Sequence, residues 1–260
     1  MGPEELKHAT LILFGVVIWD YLTSLWFEYR VLTKKIQFRW PFVPYLLARY
    51  LVLAYIMLYS IGVFVDFTAF PLCTRTAFLN AGFILGVLAI VFSTWNLLTR
   101  TIIIWGHHPL VMKVLLAVGL VHLVISLILA SIARPPCTPT LPSVLTIVMF
   151  GVMTVTIEFA ILVLSLIGIK RASRHRESHL ALTLKGQGVV YFAMVLFIHV
   201  AVIITSFVPV DVFAGTLIGI LGTVLASLLS CRLVTSTLSQ NSIACVSFLC
   251  VTMFPHGVSQ

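Results

Sequence analysis

The feature that most constrains this chain is a series of long apolar stretches separated by short polar or proline-containing breaks. A helix needs about 20 apolar residues to cross the hydrocarbon core of a bilayer. Seven stretches meet that length, over residues 9–28, 43–65, 77–104, 110–133, 142–169, 188–208 and 211–233. An eighth, 242–254, is too short and too rich in small residues to predict a span. The sequence therefore predicts an all-α integral membrane protein built as a seven-helix bundle.

The composition supports a chain that lies in the bilayer through its whole length. Hydrophobic residues make up 60% and charged residues 9% of the 260 positions, against about 25% charged residues in a soluble domain. We therefore interpret the net charge of +8 as membrane topology and predict no nucleic-acid partner. The opening "MGPEELKHAT" has acidic residues and no cleavage site, so the first stretch is expected to be retained as a span.

The distribution of lysine and arginine predicts the orientation. When alternate loops are assigned to opposite sides, one side holds only three basic residues, Lys7, Arg75 and Arg134. The other side holds Arg30, Lys34, Lys35, Arg39, Arg100, Lys113, Lys170, Arg171, Arg174, Arg176, Lys185 and Arg232. Cytoplasmic loops carry the excess of basic residues, so the N-terminus is predicted outside and the C-terminus in the cytoplasm. The expected location is the plasma membrane or another membrane of the secretory pathway.

In this orientation two cysteines face the exterior. Cys73 precedes the third span and Cys137 lies between the fourth and fifth. An oxidising exterior permits a disulfide between them, and two unpaired loop cysteines are the alternative.

Ionisable residues inside spans are costly and tend to pair with one another. With the first turn centred near residues 34–35, Asp20 and Arg49 lie equally far before and after it, which predicts a buried ion pair that docks the second helix on the first. A proton or ligand site is the functional alternative for this pair.

Glu28 is expected to be a solvated loop contact near the interface. Tyr45 shares the face of Arg49, and three aromatic residues are interpreted as interfacial anchors, namely Trp26, Tyr29 and Trp40.

Three further polar residues lie near the middle of successive spans and could converge. They are His122, Glu158 and His199. Such a cluster could bind a cation, relay a proton or hold a polar ligand, and hydrogen-bonded packing is the plainer alternative.

No cofactor or metal site is predicted. The adjacent His107 and His108 lack a third ligand nearby, and the stretch 211–233 contains no lysine for a retinal Schiff base. Nucleotide-binding loops and hydrolase motifs do not occur, so no enzymatic activity is predicted. The basic segment 170–185 is interpreted mainly as a topology signal that could also dock an acidic cytoplasmic partner or anionic lipid.

One long stretch resembles a known family. "VVIWDYLTSLWFEYRVLTKKIQFRWPFVPYLLARYLVLAYI" is similar to the N-terminal domain of a large group of basidiomycete fungal seven-helix membrane proteins of unknown function. The residues that carry the similarity are Asp20, Tyr21, Glu28, Trp40, Arg49 and Tyr50, and further along Arg100, Thr101, Trp105, Arg232 and Leu233.

The resemblance covers most of residues 10–235 and is strongest over 15–60. It implies a fungal origin and the seven-helix fold, and it implies no activity. We accordingly expect a seven-helix membrane domain over 1–235. The tail 236–260 is atypical, because it is apolar where the family has a polar cytoplasmic tail.

Three functions remain as hypotheses. A receptor-like sensing or signalling protein is favoured by the seven spans, the orientation and the basic segment 170–185. A transporter or channel is favoured by the acidic and histidine residues within the membrane. A membrane-embedded enzyme or scaffold is the third hypothesis, and only the histidines support it.

Overall fold

The computed structural model describes residues 3–33, 40, 42–64, 71–105, 108–132, 144–173, 179–207, 214–232 and 234. Every regular element within these ranges is an α-helix. The helices are α1 (Pro3–Leu32), α2 (Phe42–Phe64), α3 (Leu72–Ile104), α4 (Pro109–Ile132), α5 (Val144–Ser173) and α6 (His179–Phe207). We name the further helical segment Ala214–Arg232 α7.

Among the described residues, six helices are long and apolar enough to cross a membrane. These spans are Lys7–Arg30, Phe42–Gly62, Ala77–Ile104, Pro109–Ile132, Thr146–Arg171 and Ala214–Arg232. In α6 the corresponding apolar segment, Phe192–Thr205, is shorter. The prediction of an all-helical, multi-pass membrane protein is thereby confirmed. The apolar stretch 242–254 and the tail 236–260 lie outside the described residues.

Proline residues mark where three of the helices begin. Pro3 and Pro109 are the first residues of α1 and α4, and Pro71 immediately precedes α3. Proline suits these positions because the first amides of a helix have no partner within the helix. Between its first and last turns, a helix satisfies its backbone groups internally, and the bilayer core demands this of any spanning segment.

Helix α3 lies at the centre of the packing. One hydrophobic cluster contains α3 residues together with Leu115 of α4, Ile161 of α5, Phe192 of α6 and Ala226 of α7. A second cluster joins α1, α2, α3 and α7 around Ile56, which is fully buried. Since α3 and α7 contribute to both clusters, these two helices connect the two clusters.

Successive helices run antiparallel, so one face of the bundle collects the ends of α1, α3 and α5 and the starts of α2 and α4. Two contacts establish this face. Arg49, early in α2, contacts Glu28, late in α1, and Trp105, at the end of α3, contacts Leu164 in the last third of α5. We call it the basic face because Arg30, Lys170 and Arg171 lie there.

Candidate functional site

The charged residues of the first two helices form a buried network around Arg49. Its guanidinium donates hydrogen bonds from Nη1 to Glu28 Oε1 at 2.6 Å and to the Tyr45 hydroxyl at 2.7 Å. The Nη2 atom donates to the backbone carbonyl of Tyr21, and the guanidinium lies 4.8 Å from the centre of the Tyr21 ring. The Tyr50 hydroxyl donates to Glu28 Oε2 at 3.1 Å. The network fixes the docking of α2 on α1.

The predicted Asp20–Arg49 ion pair is wrong. Asp20 Oδ1 accepts a hydrogen bond at 2.9 Å from Nε of Arg232, at the end of α7. The Asp20 side chain is 7% exposed and that of Arg232 is 59% exposed, so the arginine reaches a buried carboxylate from the periphery. This pair fastens α7 to α1.

The first turn is centred later in the sequence than predicted, which brings Glu28 nearer than Asp20 to the level of Arg49. Helix α1 ends at residue 32 and α2 begins at residue 42, so the midpoint is residue 37. Arg49 lies 12 residues after that midpoint (49 − 37), level with residue 25 (37 − 12). At a rise of about 1.5 Å per residue, Glu28 is then about 4.5 Å from the level of Arg49 and Asp20 about 7.5 Å.

Glu28 is therefore not the solvated loop contact that the sequence predicted. It is buried, with both carboxylate oxygens bonded to residues of α2. The aromatic residues predicted as interfacial anchors are exposed, as lipid-facing anchors have to be, namely Trp26, Tyr29 and Trp40.

A second polar site joins three helices in the interior of the bundle. Nδ1 of His199 on α6 lies 2.7 Å from Oε2 of Glu158 on α5. The Thr94 hydroxyl on α3 lies 3.3 Å from Oε1 of the same carboxylate. All three side chains are buried. Glu158 is therefore the residue at which α3, α5 and α6 meet, and we call this arrangement the Glu158 junction.

His122, the third member of the predicted cluster, bonds to a different residue. Its Nε2 atom lies 3.3 Å from the Thr154 hydroxyl, one helical turn before Glu158 on α5, and its ring stacks on Phe150. It is fully buried and ties α4 to α5 beside the Glu158 junction. The structure thus brings Glu158 and His199 into direct contact and places His122 next to them.

Two ring nitrogens at this site have no hydrogen-bond partner among the described residues, Nε2 of His199 and Nδ1 of His122. A buried polar atom without a partner is costly, so each is a position where a proton, a water molecule or a ligand group would be stabilised. No group of three metal-binding side chains occurs within the described residues.

A row of small polar residues on α3 was not anticipated from the sequence. The Thr101 and Ser165 hydroxyls lie 2.7 Å apart. Ser93 donates to the Ala226 carbonyl at 3.2 Å, and the Asn96 side-chain amide donates to Ser230 at 3.4 Å. Small and hydroxyl-bearing residues allow helices to approach closely and bond across the interface. The concentration of serine, threonine and asparagine within residues 93–101 is the sequence feature from which this row could have been predicted.

Of the cysteines in the described part of the chain, Cys73 is disulfide-bonded and Cys231 is free and buried. Cys137, the predicted partner of Cys73, lies outside the described residues. His107 and residues 174–178 of the basic segment also lie outside them, whereas His108 is described and exposed.

The residues that carry the fungal resemblance fall mostly into the two ion-pair networks. Asp20 and Arg232 form one pair, and Tyr21, Glu28, Arg49 and Tyr50 form the other network. Arg100 lies apart from them, buried near the end of α3.

Comparison of the chain with family models, with curated proteins and with solved structures finds no match. The class of protein that the structure defines is a helical, multi-pass membrane protein, and the fungal family remains a prediction.

Proposed function

We propose that the protein is a receptor-like sensing or signalling protein in which the Glu158 junction couples the movement of α6 to α3 and α5. The observation that supports this proposal is the arrangement of one buried carboxylate between Thr94 of α3 and His199 of α6. A signal that moves α6 has to break or rearrange these bonds. Elements with two discrete arrangements are the usual carriers of such signals.

The pairing of the other intramembrane acids favours signalling over transport. Asp20 and Glu28 are each bonded to an arginine of another helix. Breaking a buried pair leaves an uncompensated charge at a cost of about 3–5 kcal/mol. Carboxylates paired in this way favour a fixed framework within which α6 moves, and they do not suit a path along which an ion travels.

The proposal includes seven spans, with the N-terminus outside and the C-terminus in the cytoplasm. Helix α6, 29 residues long, would be the sixth span and α7 the seventh. The excess of lysine and arginine on one side supports the orientation. The disulfide at Cys73 supports it as well, because disulfides persist in oxidising compartments and this residue lies in the first turn of α3, at the end opposite the basic face.

A transporter is the second candidate, and one specific observation favours it. Among the described residues, His199 of the Glu158 junction and the neighbouring His122 each have a buried ring nitrogen without a hydrogen-bond partner. A carboxylate with two histidines could pass a proton between α4 and α6, as acid and histidine chains do in pumps.

A distance measurement tests the signalling proposal directly. Spin labels carried by non-natural amino acids at Lys113 of α4 and Val190 of α6, both exposed, report the relative position of these helices in nanodiscs. We expect Glu158→Gln to shift or broaden the distance distribution, because it removes the charge that holds His199. Thr156→Val is the matched control, since Thr156 lies two residues away, is exposed and bonds only to its own helix. Identical distributions for Glu158→Gln and the wild type would contradict the proposal.

A flux measurement separates the two candidates. The receptor proposal expects proteoliposomes containing the wild type to conduct protons no faster than empty liposomes, as followed with a trapped pH-sensitive dye. Proton flux that Glu158→Gln abolishes and Thr156→Val preserves would establish the transporter and overturn the receptor.

A further inference from the structure

Two exposed arginines on the basic face lie over tryptophan rings. The guanidinium carbon of Arg171, in the last turn of α5, is 5.8 Å from the centre of the Trp105 ring. That of Arg30, in the last turn of α1, is 5.3 Å from the centre of the Trp26 ring. Both distances lie within the range of about 6 Å for a cation–π contact.

These arginines differ from the arginines inside the bundle. Arg49 and Arg232 each bond to a carboxylate of another helix. Within the ranges that the structure describes, no carboxylate pairs with Arg30 or Arg171. A guanidinium stacked on a ring still has its N–H groups directed outward along its edges, where they can bond an anion.

The Trp105 ring is held in place by both α3 and α5. Its indole N–H donates to the Leu164 carbonyl at 3.1 Å. The ring lies directly on Gly168, where a Cβ atom would come within 2.7 Å of the indole nitrogen. The backbone amide of Trp105 also bonds to the Thr101 carbonyl at 3.1 Å. Arg171 therefore stands on a platform built by two helices, whereas Arg30, the Trp26 ring beneath it and the Tyr29 ring that stacks on Trp26 all belong to α1.

The surroundings of this platform match a phospholipid. The platform lies at the ends of α3 and α5, at the level where membrane-spanning helices meet lipid headgroups. Exposed apolar side chains occur in the turns of α5 and α4 near the basic face, Leu166 and Ile167 on α5 and Leu110 and Val114 on α4. A ligand that combines a negative headgroup with hydrocarbon tails satisfies both parts of this surface, since the arginine bonds the headgroup and the apolar side chains contact the tails.

We propose that Arg171 and Trp105 form a binding site for the phosphate of an anionic phospholipid in the leaflet that contacts the basic face. The guanidinium bonds the phosphate oxygens with two parallel N–H donors, and the indole fixes the plane in which those donors lie. The site does not depend on whether the protein signals or transports.

Native mass spectrometry of the full chain in detergent tests this site by titration with phosphatidylserine or phosphatidylcholine. We expect the wild type to retain phosphatidylserine preferentially. Arg171→Gln should weaken that binding about tenfold, as expected when a charge-assisted hydrogen bond is lost. Arg30→Gln is the matched control, because it removes the same charge from the same face at a platform that only one helix supports.

Two further variants separate the site from general electrostatic attraction. Arg171→Lys keeps the charge and loses the planar stacking donor, so it should also weaken binding. Gly168→Ala keeps every charge and displaces the Trp105 ring, with the same expected result. Unchanged binding in Arg171→Gln, or an equal loss in Arg30→Gln, would overturn the proposal. Displacement of the lipid by millimolar inorganic phosphate would also overturn it, because the headgroup alone would then suffice.

Discussion

Arg49 on α2 donates a hydrogen bond to Glu28 on α1 over 2.6 Å, and both side chains are almost completely buried. The contact spans 21 residues of sequence and crosses the first turn of the bundle. Tyr45 and Tyr50 of α2 bond to the same two groups, so the pair is a small network rather than an isolated contact.

Removing the arginine from the network should destabilise the protein strongly. Arg49→Met leaves Glu28 as a buried carboxylate without its charge partner, at a cost of about 3–5 kcal/mol. We expect a lower midpoint of thermal unfolding in detergent, followed by tryptophan fluorescence. Arg30→Gln, which removes an exposed arginine, is the control and should change the midpoint little.

A double-mutant cycle identifies the partner of Arg49. Combining Glu28→Gln with Arg49→Met should cost less than the sum of the single changes, because each removes the same contact. Combining Asp20→Asn with Arg49→Met should be closer to additive. A larger coupling for Asp20 than for Glu28 would restore the pairing that the sequence predicted.

Loss of the histidine at the Glu158 junction should also destabilise the fold. Within the described part of the chain, His199→Leu leaves the Glu158 carboxylate with one hydrogen bond to a neighbouring helix, from the Thr94 hydroxyl. We expect a loss of about 3–5 kcal/mol, because a buried acid then lacks its partner. The double variant Glu158→Leu with His199→Leu should recover part of that stability, measured by the same unfolding assay. A double variant less stable than the single one would argue that Glu158 is stabilised by something other than His199.

Two glycines provide a matched test of the packing between α3 and α4. A Cβ atom on Gly119 would lie 3.0 Å from Leu98 and 3.1 Å from the Trp95 ring, whereas one on Gly15 would have nothing within 4 Å. Gly119→Ala should therefore reduce stability by about 1–3 kcal/mol through overpacking. Gly15→Ala should be neutral or stabilise α1 by up to about 1 kcal/mol. Equal unfolding midpoints for the two variants would contradict this packing.

Peptide mapping under non-reducing conditions should identify the disulfide partner of Cys73. We expect a peptide linked through Cys137, and loss of that link in Cys73→Ser. The thiol of Cys231 should react with a maleimide only after denaturation, because the residue is 4% exposed. A link from Cys73 to Cys245 or Cys250 would instead contradict the predicted orientation.

The positions of the helices could be predicted from the sequence, because hydrocarbon thickness sets the length of an apolar stretch. The ends of α3, for example, were expected at 77 and 104, and the helix runs from Leu72 to Ile104. Contacts between helices were harder to predict from the sequence. An apolar helix in a membrane lacks the contrast between a polar and an apolar face that would give its rotation. Glu158 and His199 could be placed at one depth, but their contact could not be derived.

The pair of Asp20 and Arg232 shows a further limit. Its members are 212 residues apart, and no local spacing relates them. Only the arrival of α7 beside α1 brings them together, and this depends on how all the intervening helices pack. The level of Arg49 relative to α1 was missed for a smaller reason, since the length of the first turn shifted the register by a few residues.

The Asp20–Arg232 pair also has a consequence for biosynthesis. Asp20 enters the membrane with the first helix, whereas Arg232 is made only after 211 intervening residues have been synthesised (232 − 20 − 1). Throughout that interval the nascent chain carries an intramembrane acid whose arginine does not yet exist. A chain that stops before α7 keeps that unsatisfied acid permanently. Insertion of α7 therefore completes this ion pair late in synthesis, and it is the step after which α1 no longer presents an unpaired carboxylate.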